Sequence, residues 1–180
     1  MKIVTLVAIV VSLAPSLGRA DDSLVRFKGG IGVDGVSSGV GTDATSTTVN
    51  RNIVRGVQPA GSPWVIADLL ADVKADGRIN ITGRGLLFSG GNTTGTALVV
   101  TPSGGTRTLQ VFATLICENA APFTERNTKP VDLSADGDFR IMDVLSPAPS
   151  ASCSTPVLLI RAAPAGGWFA AGIQKFDEGE

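Results

Sequence analysis

The sequence predicts an all-β domain, built as an antiparallel β-sandwich or, as the alternative, a β-barrel. Three observations lead there. About ten short strand-like segments recur along the chain with Gly, Pro, Asn and Asp clusters between them, the pattern of a sandwich or barrel. None of these segments makes a secure helix. A ten-residue stretch, residues 72–81, is echoed sixty positions later at residues 132–141. Asp-Val-Lys-Ala-Asp-Gly-Arg-Ile-Asn-Ile is answered by Asp-Leu-Ser-Ala-Asp-Gly-Asp-Phe-Arg-Ile, with Asp72/Asp132, Ala75/Ala135, Asp76/Asp136, Gly77/Gly137 and Ile81/Ile141 identical. Val73/Leu133 and Ile79/Phe139 keep their apolar character. Asp tolerates the left-handed conformation and Gly adopts it freely, so Asp-Gly between alternating arms is a strong hairpin signal. The two copies are expected as corresponding hairpins.

Residues 1–20 have the make-up of a cleavable secretory signal. Lys2 gives a positive start, an apolar run ends at Leu13, and Gly18-Arg19-Ala20 places small residues at both specificity positions. An uncleaved anchor is the competing reading, but the apolar run falls short of the roughly 20 residues that span a bilayer. No Cys stands near the cut to carry a lipid. The remainder, residues 21–180, is the size of one domain, which buries roughly 70% of its unfolded surface. No later run is long enough for a transmembrane helix, so no membrane insertion is expected after cleavage.

Residues 24–28 (Leu-Val-Arg-Phe-Lys) alternate as a half-buried strand does. Residues 29–50 turn to Gly, Ser, Thr and Asp and read as a long flexible loop, or short edge strands at most. Residues 64–74 are ambiguous. Ser62 and Pro63 could open a helix carrying Ile66, Leu69, Leu70 and Val73, whereas Val65, Ala67, Leu69, Ala71 and Val73 alternate as one face of a strand. The echo favours the strand, because its own first arm, between Pro130 and the turn, is too short for a helix. Gly83 and Gly85 in the following arm suggest a bulge or a close backbone approach. Residues 111–117 (Val-Phe-Ala-Thr-Leu-Ile-Cys) and 156–161 (Pro-Val-Leu-Leu-Ile-Arg) are apolar on both faces, as central strands are. Pro59-Ala60-Gly61 and Pro164-Ala165-Gly166 each lead into a Trp, at positions 64 and 168.

Cys117 and Cys153 are the only cysteines. In an exported chain an even pair reads as a disulfide, two separate buried thiols being the alternative. The arginines are scattered among carboxylates and the formal net charge is −1. Nucleic acid needs a basic stripe, so it is set aside as a partner.

Several chemistries lack their parts. The chain contains no histidine. Gly35-Val36-Ser37-Ser38-Gly39 matches a nucleophile-elbow pattern, but that motif needs a strand-to-helix turn and a base. Gly30-Ile31-Gly32-Val33-Asp34-Gly35 matches a dinucleotide fingerprint with no helix to follow it. Both read as coincidence in a Gly/Ser-rich stretch. Without His and with its cysteines bridged, the chain is not expected to bind zinc. Asp136 and Asp138, with Asp132 or Asp143, could offer oxygens to calcium, though Asp136-Gly137 more simply makes the turn. Asp68 and Asp72 share a strand face and are the carboxylates a glycan hydrolase would need, on what reads as the solvent side. Trp64 and Trp168 could form a ligand patch, or, as is commoner after a Gly/Pro bend, fill the core edge.

Gly-Val-Gln-Pro-Ala-Gly-Ser-Pro-Trp-Val-Ile, Val-Phe-Ala-Thr-Leu-Ile-Cys, Ser-Ala-Asp-Gly-Asp-Phe, Cys-Ser-Thr-Pro-Val-Leu-Leu-Ile-Arg and Trp-Phe-Ala-Ala-Gly together resemble a group of uncharacterised secreted bacterial all-β proteins. The resemblance spans residues 53–173 and implies export and β architecture, with no catalytic residues attached. The expectation is a secreted or periplasmic, non-enzymatic binding or structural module of the cell envelope or extracellular space, with no cofactor and no metal, whose partner is a protein or a glycan. The alternative is a carboxylate-based hydrolase acting on glycans. Long loops on a rigid scaffold often carry function, which makes residues 29–50 the first candidate for contact.

Overall fold

A computed structural model describes residues 22–40 and 48–176; the signal-like residues 1–20 lie outside them. The chain is all-β. Its strands are β1 (Ser23–Gly32), β2 (Val36–Val40), β3 (Thr48–Arg51), β4 (Trp64–Val65), β5 (Asp68–Lys74), β6 (Arg78–Arg84), β7 (Leu87–Phe88) and β8 (Val99–Val100). The second half supplies β9 (Thr106–Arg107), β10 (Gln110–Ile116), β11 (Arg126–Asn127), β12 (Val131–Asp132), β13 (Phe139–Val144), β14 (Val157–Ala163) and β15 (Trp168–Lys175). Residues 64–74 are therefore strand, as the echo implied.

The main sheet is antiparallel, with the order β11-β10-β14-β15-β1-β5-β6-β13 and β12 also on β10. It curls until its ends meet. Asn127 and Ser146 exchange two backbone hydrogen bonds of 2.9 Å, and the Lys129 amide donates to the Asp143 carboxylate at 2.7 Å. The result is a curled half-barrel that fits a sandwich or a barrel description equally. Its interior follows from period-two alternation: Leu69, Ala71 and Val73 of β5 point in, as do Ile79 and Ile81 of β6 and Phe139 and Ile141 of β13. Each Leu, Ile or Phe so buried stabilises the fold by about 1.5–3 kcal/mol.

The echoed segments lie side by side. β6 and β13 pair antiparallel with Ile81 opposite Ile141, so a local two-fold axis passes between the repeated isoleucines. The two turns respect it. Leu145, after β13, donates to the Gly77 carbonyl at 2.9 Å; Leu86, after β6, donates to the Gly137 carbonyl at 2.9 Å. The first copy is the expected hairpin, with Val73 opposite Ile79 and Leu69 opposite Gly83. The second corrects that expectation. Its first arm, β12, pairs instead with β10, Gln110 opposite Asp132 and Val111 opposite Val131. The hairpin register survives, since Lys129 and Asp143 stand where the first copy has Leu69 and Gly83, but a side chain spans the gap. Pro130 has no N–H to offer a ladder there.

Of residues 29–50, the described ones follow the alternative of short strands. Gly29–Gly32 complete β1, and β2 pairs with β3, while residues 41–47 lie outside the description. Glycine here serves close packing rather than mobility: a Cβ on Gly32 would sit 2.1 Å from the Trp64 carbonyl oxygen. The disulfide is formed, with Cys117 and Cys153 at a Cα–Cα distance of 4.7 Å, tying the end of β10 to the approach to β14.

Candidate functional site

One end of the curled sheet opens as a cleft of about 540 Å³. Its wall is made by the two Pro-Ala-Gly lead-ins, which run side by side. Ala60 donates to the Trp168 carbonyl and Trp168 to the Gln58 carbonyl, both at 3.0 Å, in a parallel bridge centred on Pro59 and Trp168. The small residues are needed for this approach, since a Cβ on Gly167 would meet Ala60 and the Pro59 carbonyl at 3.3 Å.

The floor is aromatic. β4 pairs with β7 so that Trp64 lies opposite Phe88, with ring centroids 3.9 Å apart, and Phe169 packs on Trp64 at 4.1 Å. Trp64 is fixed by its amide, which donates to the Val33 carbonyl at 2.8 Å. Trp168 does not join the floor. It is buried, and its indole Nε1 donates to the Asn52 carbonyl at 2.9 Å, the core-edge role expected for a Trp after a bend.

Two charged side chains enter the cleft. Arg161 of β14 is buried, its side chain 11% exposed, while Glu125 at the rim is 41% exposed. The guanidinium is held on three sides: Nε donates to the Gly166 carbonyl at 2.7 Å, and Nη1 to Thr114 Oγ1 at 3.2 Å and Glu125 Oε2 at 2.5 Å. Its plane lies over Phe112, Cζ 5.2 Å from the ring centroid, a geometry favourable to cation–π attraction. Nη2 has no protein partner among the described residues.

A second polar cluster covers the disulfide end. Arg126 Nη2 bonds Glu118 Oε1 at 2.8 Å, and the same carboxylate accepts from the Cys117 and Thr124 amides. The Arg126 guanidinium outweighs the opposing effect of burial and, with the Thr124 amide and the Glu118 backbone amide, lowers the Glu118 pKa to about 2. Arg55, in the left-handed region at φ 47°, donates Nη1 to the Ile116 carbonyl at 3.0 Å, and burial lowers its pKa. These contacts stitch the loops over β10.

The acids singled out in the sequence are dispersed. Asp68 and Asp72 share the outer face of β5, where Asp72 takes Ser23 Oγ at 2.6 Å and Lys74 Nζ at 2.9 Å. Burial opposes ionisation of Asp72, but Ser23 and Lys74 outweigh it and lower the pKa, while Asp22 and Asp72 raise that of Lys74. Asp138 accepts the Gly85 amide at 3.1 Å, Asp132 accepts Gln110 Nε2 at 2.9 Å, and Asp143 is occupied by Lys129. No three potential ligands converge on a metal position among the described residues.

Sequence reasoning passed over Arg161, Glu125, Phe88 and Phe169. The available signal was the repeated Pro-Ala-Gly approach to Trp, which marks both walls. Comparison with protein-family models, with curated proteins and with solved structures returns no match to the chain.

Proposed function

We propose that this chain is an exported, non-enzymatic binding module that takes an apolar group into the cleft at the mouth of its curled sheet. The carrying observation is the cleft itself. It has the volume of a small-molecule pocket, on the order of 300–1,000 Å³, an apolar floor and a convergent pair of charged groups, the composition of a binding site. Catalysis of glycoside hydrolysis uses two facing carboxylates; among the described residues Glu125 is the one carboxylate lining this cleft, and Arg161 holds it. Export is supported by the Cys117–Cys153 disulfide, which oxidising compartments favour, and by the signal-like residues 1–20. No helix long and apolar enough to cross a membrane is present among the described residues. The test is an amide shift map on adding propylbenzene. Shifts concentrated at Ala60, Gly167 and Phe169 are expected; shifts centred on the exposed Met142 and Val144 of β13 would remove the cleft from consideration.

A further inference from the structure

We infer that Arg161 Nη2 is the polar anchor of the cleft, and that the ligand joins an apolar body to an uncharged hydrogen-bond acceptor of the amide-carbonyl type. The inference rests on the binding reading above and narrows it. Arg161 has five N–H donors. The Gly166 carbonyl, Thr114 and Glu125 engage those on Nε and Nη1, which leaves the two on Nη2. Nη2 is not sealed from the cleft: Arg161 lines it, and Nη2, though without a protein partner, is not one of the fully buried unpartnered atoms.

A donor that is rigid, mostly desolvated and aimed into an apolar site selects an acceptor, because a ligand without one leaves it unpaired. Charge decides which acceptor. Glu125 already neutralises Arg161, so a ligand carboxylate on Nη2 would gain from the guanidinium but be repelled by the Glu125 carboxylate that shares it. A neutral carbonyl keeps the hydrogen bond and meets no such repulsion. Its apolar body then lies on Trp64, Phe88 and Phe169. The carbonyl of a peptide beside an apolar residue and that of a free small amide offer the same chemistry.

Three probes with one body separate the possibilities: 3-phenylpropanamide, 3-phenylpropanoate and propylbenzene, titrated into the purified protein and followed at the Gly166, Gly167 and Phe169 amides and the Arg161 Nη2 resonance. The amide is expected to bind at least tenfold more tightly than either of the others and to shift Nη2. In Glu125→Gln, which keeps an oxygen acceptor for Arg161 but removes the charge, the propanoate should gain at least tenfold while the amide changes less than threefold. Equal affinity of propylbenzene and the amide would overturn the anchor role of Arg161 and leave the apolar cleft standing. A propanoate that binds tightest to the unmodified protein would overturn the neutral-acceptor assignment. Failure of all three to perturb the cleft would sink both readings. A blocked tripeptide with a central Phe distinguishes the sources: tighter binding than the amide supports a peptide ligand, weaker binding a small one.

Discussion

The segments at residues 72–81 and 132–141 share five identical residues and the same Asp-Gly turn, yet they do different things in the sheet. In the first copy the arms pair with each other from Val73–Ile79 out to Asp68–Arg84. In the second, β12 is taken by β10 and β13 by β6, so the turn sits where the ends of the sheet come together. The inward residues match all the same: Val73 and Leu133, Ile79 and Phe139, and Ile81 and Ile141 are all buried. Local sequence thus sets the turn and the inward face, whereas the partner of each arm depends on which edge lies beside it. One hairpin is a ladder, and its twin is a seam.

The largest expected effect on this contrast comes from removing the bridge. The residues between Cys117 and Cys153, a separation of 36, contain all of the second copy and none of the first. Loss of the disulfide should cost about 4 kcal/mol by the chain-entropy account. Denaturant unfolding of a Cys117→Ser/Cys153→Ser protein measures it. Hydrogen exchange should speed up at residues 132–141 before residues 72–81; equal acceleration would mean the copies are not separately anchored.

Next comes the one place where the copies interlock by size. Phe139 stands where the first copy has Ile79, and its ring lies over Gly83, whose added Cβ would be 2.1 Å from Phe139 Cε1. Gly83→Ala should therefore cost about 3 kcal/mol, the upper range for overpacking. Combining it with Phe139→Leu should recover a good part of that loss. Strict additivity of the two changes would show that the ring and the glycine are not coupled.

The turn glycines sharpen the comparison further. Both have positive φ, 88° at Gly77 and 78° at Gly137, so alanine at either position costs about 1–2 kcal/mol in backbone strain. Surroundings separate them. A Cβ on Gly77 meets Pro149 Cδ at 3.1 Å, whereas one on Gly137 meets the Leu86 backbone at 2.5 Å, which cannot turn aside. Gly137→Ala should lower Tm distinctly more than Gly77→Ala; equal losses would show that Leu86 yields.

The smallest effect lies at the seam. The Lys129 amide lowers the Asp143 pKa against the opposing effect of burial. A carboxylate lowered in the folded state stabilises it above the unfolded pKa, about 3.9 for Asp, and that stability is lost as pH falls through the folded value. Exchange at the Lys129 amide should accordingly rise in acid while that at Leu69 does not. Asp143→Ala should cost about 1–2 kcal/mol at neutral pH, and Asp143→Asn should remove the acid dependence.

Much of this molecule was legible beforehand. Period-two alternation pointed to β1 and β5 because a strand with one buried face must write its partition into every second residue, and unbroken apolar runs pointed to β10 and β14, which are buried on both faces. The Asp-Gly pairs announced their turns because few residues tolerate positive φ. The bridge followed from two cysteines in a chain that reads as exported. Within residues 29–50 glycine has two uses: composition suggests freedom, but Gly30 and Gly32 sit against Ile66, Leu69 and the Trp64 carbonyl. The cleft was less legible still. Trp64 was noticed, but Arg161 looked like the polar end of an apolar strand and Glu125 like one residue of a polar loop.

By itself, then, the chain determined its strands, its two reversals, its inward residues and its disulfide, all of which depend on local conformation or on the number of cysteines. Strand partners, the splayed second hairpin and the meeting of Trp64, Phe88, Phe169, Arg161 and Glu125 at one mouth were decided by tertiary structure. Those contacts join residues far apart in sequence, and only the curl of the sheet brings them within a few ångströms.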